Sequence, residues 1–409
     1  MLLKPTDFKT DEVLLSVFSP GGHSMIGLDE FISASSAASV AHEGGVGSFS
    51  RVQLNKMLAG KVVELKPYIS ELKEGFEGAC SPEDIEILFQ LLHLGFVAPR
   101  EDQDAFASYQ ERTRSSLENR LADPRAIFSD TIIEVMSQGH LRKKPWTPDT
   151  VDDMDLGESI SIYRDRFSDA DDFVFILVGN LDLNKVEEHA RRYLATLPVK
   201  AGDELWVDHR IARPVGDVSR TVRKGIDKKA QVLLMFWDSM EWNFKERFRI
   251  QSMLAALRIR LREALREDLG GTYGVGAYPS LTHYPDPRYL IHIAFGCSPE
   301  RVDQLVSVVE KELTKLKSEP LPDSYLTKVK EGQLMKRETD LKTNGFWKYI
   351  LQFYEWHHED PRIILEFDEI VNALTGEDIR ATAEQYFGTS NQALFTLLPE
   401  LQATPSDDM

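Results

Sequence analysis

Phe167-Ser168-Asp169-Ala170 stands just ahead of the apolar run Phe173-Val174-Phe175-Ile176-Leu177-Val178, and Phe387-Gly388-Thr389-Ser390 stands at the same distance ahead of Ala393–Leu398. One constant shift superposes the two stretches, strand on strand. Nearly the same shift lays Pro99-Arg100-Glu101-Asp102 near Pro320-Leu321-Pro322-Asp323, where each half begins its run of helices. Two matched landmarks at one spacing point to a duplicated α+β domain. With 409 residues the chain exceeds the usual size of a single core, so two domains of roughly 200 residues are expected. They are placed over 1–200 and 215–409, with 201–214, poor in periodic apolar content and closed by Pro214, as the linker.

Around these landmarks each half reads alike. Alternation marks a strand over Glu12–Ser19, and Lys61–Leu65 and Leu72–Phe76 read as two more. Between them the small residues Ser33-Ala34-Ser35-Ser36-Ala37-Ala38 predict a closely packed helix from Leu28 to His42, stopped by Gly44-Gly45. Ser81-Pro82-Glu83-Asp84 supplies a hydroxyl cap, a first-turn proline and acids for the next helix start. The second half predicts strands at Val218–Arg223, Ala230–Trp237, Val275–Leu281 and Tyr289–Gly296. Its helices are predicted at Asn243–Asp268, Ser298–Leu316, Tyr325–Asn344, Trp347–His357 and Gly376–Phe387. The expected fold is two homologous α+β domains, each an antiparallel-rich sheet with helices packed on one face, facing each other as a half-shell.

Composition narrows the function. A net charge of −18, from 66 acidic against 48 basic residues, repels a polyphosphate backbone, so no nucleic-acid partner is expected. No apolar stretch reaches the roughly 18 residues of a membrane span, and no signal-like basic and apolar opening is visible. The two cysteines, Cys80 and Cys297, form no CxxC pair and read as buried apolar residues.

The usual catalytic constellations are missing. None of the ten histidines lies in His-x-x-Glu-His or His-Glu-x-x-His. Val186-Glu187-Glu188-His189 comes nearest, but Lys185 occupies the position of the first histidine, so this reads as the polar face of a surface helix. His357-His358-Glu359-Asp360 reads as a solvated helix end, since adjacent helical residues point about 100° apart. There is no Gly-x-Ser-x-Gly elbow and no Walker loop. Gly270-Gly271-Thr272-Tyr273-Gly274 follows a helix and precedes a strand, the reverse of a phosphate cradle.

That glycine-rich segment is still the most informative one. Leu261-Arg262-Glu263-Ala264-Leu265-Arg266-Glu267-Asp268-Leu269-Gly270-Gly271-Thr272-Tyr273-Gly274-Val275 closely resembles a signature of the pitrilysin/insulysin zinc peptidases. Further similarity lies in Ser19-Pro20-Gly21-Gly22-His23-Ser24, Gly45-Val46-Gly47-Ser48-Phe49-Ser50, Leu58-Ala59-Gly60-Lys61, Phe89-Gln90-Leu91-Leu92-His93-Leu94 and Pro99-Arg100. These resemble the third domain of four-domain bacterial members, so the resemblance covers essentially the whole chain.

The resemblance implies a C-terminal, non-catalytic half. Members carry an arginine and a tyrosine that hydrogen-bond carbonyls of the bound peptide; the matching positions are Arg266 and Tyr273. A charged fork and a phenol are donors suited to polarising a carbonyl. The zinc motif, His-x-x-Glu-His, belongs to the other half. Counting back from Gly44-Gly45 places Ser36, Ser39 and Val40 at its degenerate positions, where neither serine nor valine supplies a useful zinc ligand. Zinc is thus implied only for the catalytic half, and this chain alone is expected to bind none and to be inactive. The expected partners are that half, in the same chain or as a separate subunit, and a peptide substrate. The rival reading is a non-catalytic partner or scaffold subunit. The opening at Leu2-Leu3-Lys4 reads as a strand entered midway, suggesting a fragment of a longer peptidase. Family habit suggests a bacterial, exported or periplasmic setting.

Overall fold

The computed structural model describes residues 1–200, 205–267 and 274–400, with the side chains of Arg266 and Glu267 left aside. In the first half the strands are β1 (Leu2–Pro5), β2 (Val13–Pro20), β3 (Val63–Ile69), β4 (Lys73–Cys80) and β5 (Val174–Gly179). The helices are α1 (Phe31–Gly44), α2 (Arg51–Met57), α3 (Ile85–Val97), α4 (Gln103–Ala122), α5 (Pro124–Met136), α6 (Leu156–Arg166) and α7 (Leu183–His189). The second half repeats the series: β6 (Asp217–Arg223), β7 (Ala230–Ser239), α8 (Phe244–Glu267), β8 (Val275–Thr282) and β9 (Arg288–Cys297). Then come α9 (Val302–Ser318), α10 (Asp323–Asp340), α11 (Asn344–His357), α12 (Phe367–Ala373), α13 (Gly376–Phe387) and β10 (Gln392–Leu398).

The duplication is visible in the topology. One sheet runs β1-β5-β2-β4-β3 and the other β6-β10-β7-β9-β8. In each, the first strand pairs parallel with the last, and the remaining ladders are antiparallel. Cys80 lies opposite Val13 and Cys297 opposite Ala230, so the two cysteines occupy equivalent strand ends. Both are free and buried, and burial pushes the Cys80 thiol up to about 12, which suits a packing role.

Strand alternation divides each sheet into two apolar faces. Val13, Leu15, Val17, Phe175 and Leu177 join the core beneath α1, α3 and α6; Ala230, Val232, Leu234 and Phe236 join the core beneath α8, α9 and α13. The opposite faces are not bare. Phe18, Ile176 and Val178 pack against Trp347, Leu351 and Trp356 of α11. Met235, Trp237, Phe395 and Leu397 pack against Phe128, Ile132, Val135 and Met136 of α5. Each sheet therefore takes its second cover from the other half of the sequence.

This exchange makes the compact units discontinuous, in contrast to the contiguous 1–200 and 215–409 expected from the sequence. Unit 1 is 1–119, 146–210 and 338–361; unit 2 is 120–145, 211–337 and 362–409. The physical reason is the second apolar face, which a local chain segment does not reach. Segment 201–214 divides likewise: 205–210 goes with unit 1 and 211–214 with unit 2, while 201–204 lie outside the described residues. Among the described residues no helix is long and apolar enough to cross a membrane.

The exchanged helix offers a direct test. Phe128 is 7% exposed, and Phe128→Ala is expected to destabilise unit 2 by about 3–5 kcal/mol in urea unfolding. A loss well under 1 kcal/mol would mean that α5 does not cover this face.

Candidate functional site

The degenerate metal positions lie on α1. This helix approaches α6 closely because Ser33, Ala34, Ala37 and Ala41 present so little side chain. The Ser33 hydroxyl accepts from Asp155 N at 3.0 Å and donates to Glu158 at 2.9 Å, and Ser159 Oγ donates to the Ser33 carbonyl at 3.2 Å. Ser36 is buried, and its hydroxyl faces the Ile32 and Ser33 carbonyls at 3.0 and 3.1 Å. Val40 is buried in the unit 1 core, while Ser39 is exposed. A hydroxyl committed to its own helix and a core methyl pair do not fit a zinc ion. Among the described residues no cluster of three His, Cys, Asp or Glu side chains is arranged to hold a metal.

Several segments that carried the family resemblance do structural work. Gly22 N donates to Glu74 Oε2 at 2.5 Å, and a Cβ on Gly22, at φ +63°, would lie 2.3 Å from the Ser70 carbonyl. Gly45, at φ +91°, turns the chain sharply after α1; Val46 bridges Phe49 and Pro99, and Gly47 N donates to the Ala98 carbonyl at 2.8 Å. Lys61 pairs with Asp84 at 3.1 Å, and Val62 N donates to the same carboxylate at 2.8 Å. That amide, foremost among the carboxylate's partners, holds Asp84 below the usual range. His93 Nδ1 lies 2.8 Å from the Tyr193 carbonyl.

Arg266 lies in the last turn of α8, and Tyr273 lies outside the described residues. The helix that delivers Arg266 is firmly braced. Leu257, Leu261 and Leu265 are at most 1% exposed along its buried face. Arg258 donates to the Ala277 carbonyl of β8 at 2.7 Å, tying the helix to the strand that follows the motif. Arg260 pairs with Glu312 at 2.8 Å, both mostly buried, and Glu263 accepts from the Tyr325 hydroxyl at 2.5 Å. This bracing set was not singled out from the sequence, although Glu312 is a lone acid on the apolar face of α9 and could have signalled a buried partner.

Two other expectations met the structure differently. Lys185, Glu187 and Glu188 are exposed, as a surface helix requires, but His189 is buried, its ring 5.7 Å from that of Phe89, because α7 runs straight into a turn that packs on α3. His358 takes a left-handed conformation and caps α11, as a helix end should. A groove of about 1070 Å³ in unit 2 opens beside Pro124, Phe128, Leu233 and Leu397. It lies on the sheet face that α5 covers, whereas α8 packs on the opposite face, so groove and motif helix do not share a surface.

Comparison with known proteins places this architecture. The family model described as the peptidase M16 inactive domain matches residues 157–333. The chain is similar to the probable zinc protease PqqL of Haemophilus influenzae, 23% identical over 388 residues, covering 93% of this chain and 40% of that protein. In fold it matches the periplasmic protease PqqL of Escherichia coli, with a TM-score of 0.82, 20% identity and coverage of 97% of this chain and 44% of that one. It also matches a peptidase M16 inactive domain from Pseudomonas fluorescens at a TM-score of 0.76 and 14% identity, over 97% of this chain and 95% of that one. The class is a two-unit α+β chain of the M16 peptidase fold. Residues 157–333 thus resemble the inactive domains of that family, and the chain as a whole shares their fold. It spans about two-fifths of the length of the PqqL protein from H. influenzae.

The placement of α1 is testable. Val40→His is expected to destabilise unit 1 by about 1–3 kcal/mol through burial of an imidazole. Combined with Ser36→His and Ser39→Glu, it is expected to add no stoichiometric zinc by elemental analysis; one zinc per chain would contradict the burial argument.

Proposed function

We propose that this chain is the substrate-binding, chamber-closing half of a zinc-dependent endopeptidase, acting with a catalytic half in the same polypeptide or in a separate subunit. The observation that carries the reading is Arg266 in the last turn of a braced helix, with Tyr273 seven residues on in the sequence, both inside the segment matched by the inactive-domain model. Zinc would be held by the catalytic half, because Ser36, Ser39 and Val40 supply no adequate ligand set here.

In this reading, this half aligns the peptide. Arg266 would donate a charge-assisted hydrogen bond to a substrate carbonyl, and Tyr273 would donate its phenolic proton to a second carbonyl or to the developing oxyanion. Such donors accelerate the reaction only if they are held in place before the charge develops. The contacts of Arg258, Arg260 and Glu263 supply that rigidity to the helix backbone. An exported setting is part of the same proposal, supported by the periplasmic description of the E. coli protein.

In the complete two-half enzyme, Arg266→Ala and Tyr273→Phe are each expected to lower kcat by about 10²–10³-fold with zinc content unchanged. Wild-type turnover in both variants would defeat the assignment. The isolated chain is expected to show neither cleavage nor bound zinc, and adding the catalytic half should restore peptide hydrolysis. No gain on mixing would favour a scaffold subunit.

A further inference from the structure

Unit 1 contains a cavity of about 320 Å³ between the end of α1, α2, β3 and α3. It is partly open to solvent, with Asn55 and Glu64 exposed at its rim. Its size falls within the range of small-molecule sites, which run from about 300 to 1,000 Å³. Leu54, Leu65, Phe76 and Leu91 form an apolar wall. The polar side chains at its lining are His42, Arg51, Asn55, Glu64 and Tyr163, the last donating its hydroxyl to the Gly95 carbonyl at 3.0 Å.

The charges at this site are unevenly matched. Glu64 is paired with Lys66 at 2.5 Å. Arg51, half-buried, makes no ion pair or hydrogen bond among the described residues. Helix chemistry does not account for it either, since it opens α2, where a cation opposes the helix dipole. His42 is also half-buried and without a hydrogen bond among the described residues. Burial first, and then the Arg51 charge, push its imidazole down to about 4. It is therefore neutral near pH 7 and retains one N–H to donate. Two unused donors, one of them a permanent cation, stand over an apolar chamber.

We infer that this cavity is a binding site for a ligand with a compact apolar body and a carboxylate head: the C-terminal residue of a peptide or a free short branched acid. The apolar wall takes the body. The planar guanidinium of Arg51 matches a carboxylate with two parallel hydrogen bonds, and the His42 N–H completes its coordination. A doubly charged phosphate suits the site less well, having one unpaired cation and Glu43 and Glu64 close by. The inference is independent of Arg266 and Tyr273, so it stands or falls without the peptidase assay.

The test is calorimetric titration of the full chain with three probes: a pentapeptide ending in leucine with a free carboxylate, its C-terminal amide, and 4-methylpentanoate. At least one free acid is expected to bind, and the amide to bind at least about tenfold more weakly than its acid, the scale of one charge-assisted hydrogen bond. Binding of the peptide acid alone assigns the site to peptide ends; binding of 4-methylpentanoate alone assigns it to free acids. Arg51→Gln, which removes no partnered group, should weaken the bound acid at least about tenfold with an unchanged thermal midpoint. Leu58→Trp, which fills the cavity from its half-buried rim, should abolish binding. Equal affinity for acid and amide, no binding of either acid at millimolar concentration, or wild-type affinity in Arg51→Gln would each overturn the inference.

Discussion

Each five-stranded sheet carries apolar side chains on both faces, and the rest of the architecture follows from the need to cover them. Local helices close one face: α1, α3 and α6 in unit 1, and α8, α9 and α13 in unit 2. The second face of each sheet is closed by a single helix from the other half of the sequence, α11 in one case and α5 in the other. Leaving Phe18, Ile176, Met235 or Phe395 in water would forfeit roughly 1.5–3 kcal/mol for each large side chain. Neither half of the chain therefore forms a fully covered unit from its own contiguous residues.

Local periodicity made most of the fold legible. The ladder strands alternate cleanly, as in Ala230–Ser239, where successive residues join different cores. The matched helix-end and strand landmarks anticipated a duplicated α+β domain, and the two sheets share one strand order. Contiguous boundaries did not survive because α5 and α11 find their partners far along the sequence, which hydrophobic patterning does not encode. Cys80 and Cys297, read from the sequence as separate buried residues, occupy equivalent strand ends and are a further mark of the repeat. His189 shows the same limit: one polar-looking helical turn carried no sign that Phe89 would pack against it.

The candidate site was legible as a motif but not as a machine. The resemblance named Arg266 and Tyr273, yet nothing local to them reveals what holds α8 in position. Those groups come from other elements: Glu312 from α9, Tyr325 from α10 and the Ala277 carbonyl from β8. The converse applies to the motifs around Gly22, Gly45 and Lys61. In this chain they serve packing, with Gly45 allowing a left-handed turn and Lys61 joining the Val62 amide on the Asp84 carboxylate.

A comparison of α1 with α8 joins these threads. Each follows the second strand of its sheet series, so the two occupy the same position in the duplicated plan. The first runs for 14 residues and ends at Gly44, where the next glycine takes φ +91° and the chain turns back toward Pro99. The second has no such stop and runs for 24 residues, three turns further, to carry Arg266. In the first half the corresponding stretch forms the Gly45–Ser50 loop and α2, and these border the cavity that holds Arg51 and His42. The two copies thus differ in where this helix stops: one runs on to carry Arg266 in its last turn, the other ends at Gly44 and leaves a pocket beside it.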